Sequence, residues 1–445
     1  MDAQVGGYFS LNGGTIRNPQ GTAIHADRLR VDGSLFMRHP FSADGEVRLI
    51  GGQIGANLEA QGGTFRNLGG QAFTASGITV KGGLFLQEFS VEGLVRLVGI
   101  SIGGNLECDG GKLSNPDGRS FSAENAIVQG HVFLRGGFSS QGGTSLFGAS
   151  IGGSLDCSGG RFSSLDLRTL NAKGFFRWSN VQNAASTRLD LRHASTGPIE
   201  DEGASWPEMG NLSLDGFAYS GISGGPRDAK TRLEWLDRVQ QFTLQPYQQL
   251  AKVLRESGDV RGARDVLFGM EDRRRRKEKN RPWHWRSWDW MLKYTIGYGQ
   301  RSEWALMWLL GLTLLGSLLF GCGYLGGAVS PNEKDAYEAF ERQGEPTPYY
   351  PRFNAVVYSF EHSFPFVNLG VKEYWAPKPG RGATVPELQW ARFRAIRDAT
   401  FRGYYLCRFC APRILRWWLW FQTVAGWVLA TMFVAGLTGI VKSGS

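Results

Sequence analysis

The first half of this chain repeats itself, and a long repeat restricts the fold more than any other feature of the sequence. Leu58, Leu106 and Leu155 lie in ANLEAQGG, GNLECDGG and GSLDCSGG, separated by 48 and 49 residues. Phe36, Phe85 and Phe133, in SLFM, GLFL and HVFL, keep the same spacing. Asn-x-x-Gly recurs with them as Asn18–Gly21, Asn67–Gly70 and Asn115–Gly118, each a turn-forming sequence. The long repeat divides into two half-motifs of the form apolar-x-Gly-x-apolar-x-apolar. Clear copies begin at Val31, Val80, Ile102 and Val128, and fainter ones near Val5, Ile54, Ile151 and Ala172. Apolar residues at a period of two indicate strands with one buried face. Short strands recurring in coils of roughly 22–26 residues stack as a parallel β-helix. The expectation is about eight coils, a rod about 40 Å long at ~4.8 Å per strand.

Cys108 and Cys157 fall at equivalent inward positions and read as small buried apolar residues. The acidic residues of this half (Asp44, Glu46, Glu59, Glu88, Glu92, Glu107, Asp156) show no doubled carboxylates and no Asp/Glu/His grouping. The rod therefore reads as a scaffold, sensor or binding surface without a catalytic site. Its terminal strands need covering or self-association.

After Gly225 the pattern changes to helical. DAKTRLEWLDRVQQF and PYQQLAKVLRESGDVRGARDVLFGMEDRRRR predict three helices, with one apolar face at Tyr247, Leu250, Ala251, Val253 and Leu254. A second face comprises Ala263, Val266 and Leu267. The pair resembles a single tetratricopeptide-type hairpin, which cannot form a solenoid alone. It is expected to cap the last β-coil, near residues 211–219, with a soluble partner protein as the alternative role.

The remainder is apolar and basic. Trp304–Leu325 runs 22 residues without a charge, and Trp417–Val441 runs 25; both are long enough to span a bilayer. Small residues including Gly426, Ala430 and Gly436 give the second run faces for close helix packing. The chain carries 49 Lys and Arg against 40 Asp and Glu, and much of the excess sits beside these runs. That placement favours anionic lipid head groups over nucleic acid. Arg273, Arg274, Arg275 and Arg276, followed by Trp283, Trp285, Trp288 and Trp290, form the expected membrane-interface anchor. The N-terminus has no signal-peptide pattern, so the polar half is expected in the cytosol and the tail in the inner (cytoplasmic) membrane.

Thr295-Ile296-Gly297-Tyr298-Gly299 is one residue away from a potassium-filter sequence, but no span precedes it. It reads as the bend between a Trp-rich interfacial helix and the first span. The stretch 352–375, RFNAVVYSFEHSFPFVNLGVKEYW, is the stronger pore-loop candidate. It predicts a short helix from Phe353 to Ser363, ended before Pro365 and followed by a loop. Glu361 and His362 are ionisable groups inside an apolar segment and mark a candidate site. Phe366, Asn368 and Gly370 occupy the filter-like position. The alternative for Glu361 and His362 is a local pair, or pairing to loop arginines. A re-entrant course leaves Arg392, Arg394, Arg397, Arg402, Arg408, Arg413 and Arg416 outside, against the positive-inside tendency; a full crossing leaves them inside. The re-entrant course is the one expected, with spans over 304–325 and 417–441 and a re-entrant segment over 352–375; a full crossing is the alternative. Cys407 and Cys410 form a lone C-x-x-C and read as interfacial cysteines.

The domains expected are a β-helix over 1–225, a helical connector over 226–280, a Trp-rich segment over 281–300 and a membrane domain over 301–441. No dinucleotide, phosphate-loop, haem, iron–sulfur or nucleophile-elbow pattern occurs, so no cofactor, metal or catalytic residue is expected. The runs LDGFAY, RLEWL, PYQQLAKVLRESG, EDRRRR, TIGYG, YSFEHSFPFVNLG and WFQTVAGWVLATMFVAGLTGIV together resemble a group of bacterial membrane proteins. These carry a repetitive β-helical, pentapeptide-repeat-like N-terminal half and a two-span tail, and are often called membrane-associated oxidoreductases. The resemblance implies a membrane protein of that architecture, with oxidoreductase activity as one alternative. The residues themselves predict a non-enzymatic homo-oligomer. In it a cytosolic β-helix scaffold or sensor is coupled to a degenerate pore-loop, ion-channel-like membrane domain, or serves as an anchored scaffold without conductance.

Overall fold

The computed structural model describes residues 3–239, 241–277, 282–343, 345–378 and 412–437. Cys407, Cys410 and all the loop arginines except Arg413 and Arg416 lie outside the described residues. The chain divides into two compact units, Met1–Arg274 and Arg275–Ser445.

The first unit is a parallel β-solenoid with three sheets. Sheet A has ten two-residue strands from Gln4–Val5 to Ala218–Tyr219, and sheet B ten short strands from Phe9–Ser10 to Ile222–Ser223. Sheet C has nine, from Thr15–His25 to Leu212–Ser213. Each strand pairs with its equivalent in the turns before and after. There are thus ten turns where the motif predicted eight. The eight motif copies are the first eight strands of sheet A. The two missed turns carry Thr196 and Tyr219 at the inward position in place of Val, Ile or Ala, which hides them from an apolar periodicity.

The motif glycine sits at the corner between sheets A and B, where successive turns nearly touch. A Cβ on Gly130 would lie 2.7 Å from the Gly104 carbonyl oxygen, inside any permitted contact. The 48–49-residue period has a separate cause in sheet C. Over the first six turns its strands alternate between eleven residues (Thr15–His25, Thr64–Thr74, Lys112–Ser122) and seven (Ser42–Arg48, Ser90–Arg96, Ser139–Ser145). Each long strand bulges outward at its Asn-x-x-Gly loop. There the Asn side chain donates to a carbonyl four residues on, as in Asn67 to Gln71 at 2.8 Å. The following turn passes directly beneath with Gly45, Gly93 or Gly142, all at positive φ. A Cβ on any of these would collide with the loop's Asn carbonyl.

Inside the rod, aromatic rings stack from turn to turn: Phe121, Phe138, Phe162, Trp178, Trp206 and finally Trp235, successive centroids 5.0–6.4 Å apart. Trp235 belongs to the first helix, α1 (Ala229–Leu236), so the stack continues into the cap. Beside it, Arg232 makes two 2.7 Å bonds to Asp201, both side chains nearly solvent-free, and Trp206 Nε1 donates to the same carboxylate. Helix α2 (Gln245–Glu256) covers the last turn. Gln245 and Gln249 donate to the carbonyls of Phe217 and Tyr219 at 3.2 and 2.7 Å, satisfying acceptors that an edge would leave bare. Tyr247, Leu250, Ala251, Val253 and Leu254 are buried, as are Ala263, Val266 and Met270 on α3 (Val260–Lys277). These helices share one hydrophobic core with the solenoid.

In the second unit, α4 (Trp283–Ile296) leads into a turn at Gly297–Gly299 and then α5 (Glu303–Leu325). Gly297, Tyr298 and Gly299 all have positive φ, so TIGYG is a bend between two helices. After α5 come the short strand Ser330–Pro331, α6 (Lys334–Gln343), α7 (Ala355–Ser363), the strand Trp375–Ala376 and α8 (Pro412–Leu437). Glu303–Leu325 and Pro412–Ala435 are long and apolar enough to cross a membrane, with mean hydropathies of 2.0 and 1.4. Only 28% and 17% of their most apolar windows are buried in the protein. Most of their apolar surface therefore faces outward, unlike the core helix of a water-soluble domain.

Candidate functional site

Helix α7 is the centre of the second unit's candidate site. Asn354 caps it, its side chain accepting from the N–H groups of Val356 and Val357 at 3.0 and 3.2 Å. The helix stops at Ser363, two residues before Pro365, close to the predicted span. Nine residues rise only about 14 Å, less than half of a hydrocarbon core. The chain returns to where it started. Trp375 Nε1 donates to the Pro351 carbonyl at 2.9 Å, and Tyr358 Oη to the Trp375 carbonyl at 3.2 Å. The strand Trp375–Ala376 pairs antiparallel with Ser330–Pro331, just beyond the end of α5. Trp375 is packed among Tyr324, Phe340, Tyr350 and Phe353, which fixes that junction.

Glu361 is 2% exposed, and among the described residues its partners are neither His362 nor an arginine. Its carboxylate accepts backbone N–H groups across the loop: Leu369, Val371 at 3.1 Å and Lys372 at 2.7 Å. A buried carboxylate whose oxygens are taken by amide donors is a structural clamp. Here it ties the helix to the loop that follows. His362 points elsewhere. Its Nδ1 lies 3.3 Å from Thr423 Oγ1 on α8, its ring packs edge-on against Tyr358, and Nε2 has no partner among the described residues. Asn368 is exposed and closes the turn by accepting from the Gly370 N–H at 3.0 Å, Gly370 itself at φ 80°. Phe366 and Leu369 stand out at 65% and 57% exposure, so the loop presents an apolar tip.

Four residues that sequence reasoning passed over hold α5, α7 and α8 together. Gln422, fully buried on α8, places its amide nitrogen 2.9 Å from the Ser359 carbonyl, 2.7 Å from Ser359 Oγ and 2.8 Å from Ser363 Oγ. Ser359 Oγ in turn donates to the Thr313 carbonyl on α5 at 2.8 Å. Gly316 and Gly426 let the helices approach; a Cβ on either would meet Gln422 and Ser359, or the Ser363 carbonyl. The available signal was Gln422 itself, an amide inside an otherwise apolar run.

The expected interface anchors separate into two groups. Trp283, Trp285, Trp288 and Trp290 are all exposed, at 79, 52, 46 and 66%. Among the arginines, Arg273 binds Asp237 at 2.5 Å and Arg274 binds Glu271 at 3.3 Å. Arg275 pairs with Asp289 and lies over the Tyr298 ring. Arg276 is exposed. The guanidiniums of Arg273, Arg274 and Arg275 are thus engaged by the protein, and the four tryptophans form an exposed apolar face.

In the first unit, carboxylates and arginines alternate on the outer faces of sheets B and C. Arg135 bridges Asp109 and Asp156 at 3.2 Å each, and Arg177 reaches Asp156 and Glu200. Burial, which opposes ionisation, is outweighed at Asp166 by hydrogen bonds from Arg168, and its carboxyl is held below the usual carboxylate range. Burial pushes the thiols of Cys108 and Cys157 well above their ordinary value. No group of three or more His, Cys, Asp or Glu arranged to hold a metal occurs among the described residues. No protein-family model, curated protein or solved structure matches the chain.

Proposed function

We propose that this chain is a non-enzymatic, membrane-anchored β-solenoid. Its rod stands in the cytosol, and α5 and α8 lie in the inner membrane. The outward-facing apolar surface of those two helices carries the reading, since in water it would be left exposed. The four exposed tryptophans of α4 support an interfacial position for that helix, beside anionic head groups. The test is fractionation followed by extraction of membranes at alkaline pH. The intact chain stays in the membrane pellet and needs detergent for release. Recovery of the full chain in the detergent-free soluble fraction overturns the proposal.

A second reading adds conduction. The excursion of 352–375, which leaves and rejoins one end of α5, supports a re-entrant segment, and its clamped loop is suited to line an axis in a homo-oligomer. Glu361 then acts as the brace of the loop, because its oxygens are already engaged by Leu369, Val371 and Lys372. Single-channel recording on reconstituted protein, with its oligomeric state measured in detergent, separates the readings. A monomer without current in any salt leaves the anchored scaffold alone.

A further inference from the structure

On the outer face of sheet C, the two turns before the last carry the same charge pair. Asp166 and Asp190 are in register, and two residues on from each stands an arginine, Arg168 or Arg192. Arg168 binds Asp166 at 2.7 Å, and Arg192 binds Asp190 at 2.6 Å. The next turn inverts the pattern. Ser213 pairs in register with Asp190, and the position two residues on is an acid, Asp215. The segment after α1 then bridges to the last strand at Leu212 and Val239, and its continuation through Gln241 and Thr243 forms a wall. Between wall and sheet lies a concavity of about 530 Å³.

Two opposite charges in this concavity are unused. Arg188 and Asp215 both line it, and neither has a side-chain partner among the described residues, although their neighbours are fully paired. Asn211 and Ser213 line the floor, Asn211 spending only its amide nitrogen, on the Ala185 carbonyl. A bare anion would meet Arg188 but also the carboxylates of Asp190 and Asp215. A neutral sugar would leave Arg188 unanswered. None of the lining residues is aromatic, so nothing is provided for a nucleobase to stack on.

We infer that this pocket binds a small hydroxylated anion, a monosaccharide carrying a phosphate or a carboxylate. Arg188 takes the anionic group by a charge-assisted hydrogen bond, and Asp215, Asn211 and Ser213 take the hydroxyls. The inference concerns the solenoid alone and stands whether or not the other unit conducts.

Isothermal titration of the full chain in detergent tests it, with four probes: glucose-6-phosphate, glucuronate, inorganic phosphate and glucose. Binding of either acidic sugar is expected, at least roughly tenfold tighter than glucose or inorganic phosphate. The relative affinity of the two acidic sugars says whether phosphate or carboxylate is the group recognised. Arg188→Gln lowers that affinity about tenfold or more, while Asp215→Asn narrows the preference for the sugar phosphate over inorganic phosphate. Arg188 is exposed, so its variant retains the parent's unfolding temperature. No binding of either acidic sugar at millimolar concentration overturns the inference. So does binding that Arg188→Gln leaves unchanged, or inorganic phosphate binding as tightly as the sugar phosphate.

Discussion

Asp201 shows how much a single side chain can carry. It receives both guanidinium nitrogens of Arg232 and the indole N–H of Trp206, out of contact with water. Removing one member of a buried pair leaves the other charge uncompensated. Asp201→Ala is therefore expected to cost about 3–5 kcal/mol, read as a lower denaturant midpoint for the first unit. Asp228 is a smaller, exposed case. Its side chain caps α1 by accepting the Thr231 N–H at 2.8 Å, and that bond holds its carboxyl below the ordinary value. A depressed folded-state pKa means that the contribution is complete above the unfolded value, about 3.9. It is lost as pH falls through the lower, folded value. Asp228→Ala should cost about 1 kcal/mol at neutral pH, and the difference from the parent should shrink below about pH 4. A gap that widens in acid would contradict the assignment. At Glu361, the change to Gln removes the charge and turns one acceptor oxygen into a donor facing other donors. Hydrogen exchange at Leu369, Val371 and Lys372 should accelerate while α5 stays protected; unchanged protection would remove the clamp.

At the level of elements, the alternation of long and short turns rests on steric permission. Gly93, at φ 125°, passes under the Asn67 carbonyl with no room for a Cβ. Gly93→Ala combines a disfavoured backbone conformation with a clash and is expected to destabilise the rod by more than about 2 kcal/mol. Leu68→Ser, at the exposed tip of the same loop, should be neutral in the same melt. Equal effects would show that the loop, and not the glycine beneath it, sets the geometry. The cap follows from ordinary amphipathic patterning: the α2 face singled out by spacing is the buried one. What spacing did not reveal is that Gln245 and Gln249 satisfy the last turn's carbonyls. Their role depends on where the edge strand lies, and that is known only once the turns are stacked.

For the molecule as a whole, the two solenoid thiols report on the stack. Cys108 and Cys157 are fully buried, and burial keeps them protonated. Both should resist a maleimide at neutral pH until denaturant unfolds the rod, then react together in one transition. Reaction of one thiol well before the other would mean that the turns open in separate blocks. The second unit is held differently. Gln422, Ser359, Ser363 and Thr313 join its helices through hydrogen bonds, and glycines permit their approach, the mode of association suited to a medium that offers no hydrophobic drive between helices.

The sequence by itself determined the parallel solenoid, the helical cap and the two apolar runs, because strand alternation, helical periodicity and spanning length are each written locally along the chain. It also announced Glu361 as unusual, since an acid within an apolar segment demands a partner. Tertiary structure alone decided what that partner is: three amides eight to eleven residues away, brought back by a loop whose course no periodicity encodes. The same holds for the last two turns, the Gln422 bridge and the pocket beside Arg188. Each arises where separate strands or helices meet, and the energy of such a meeting depends on distance in space, which spacing along the chain does not record.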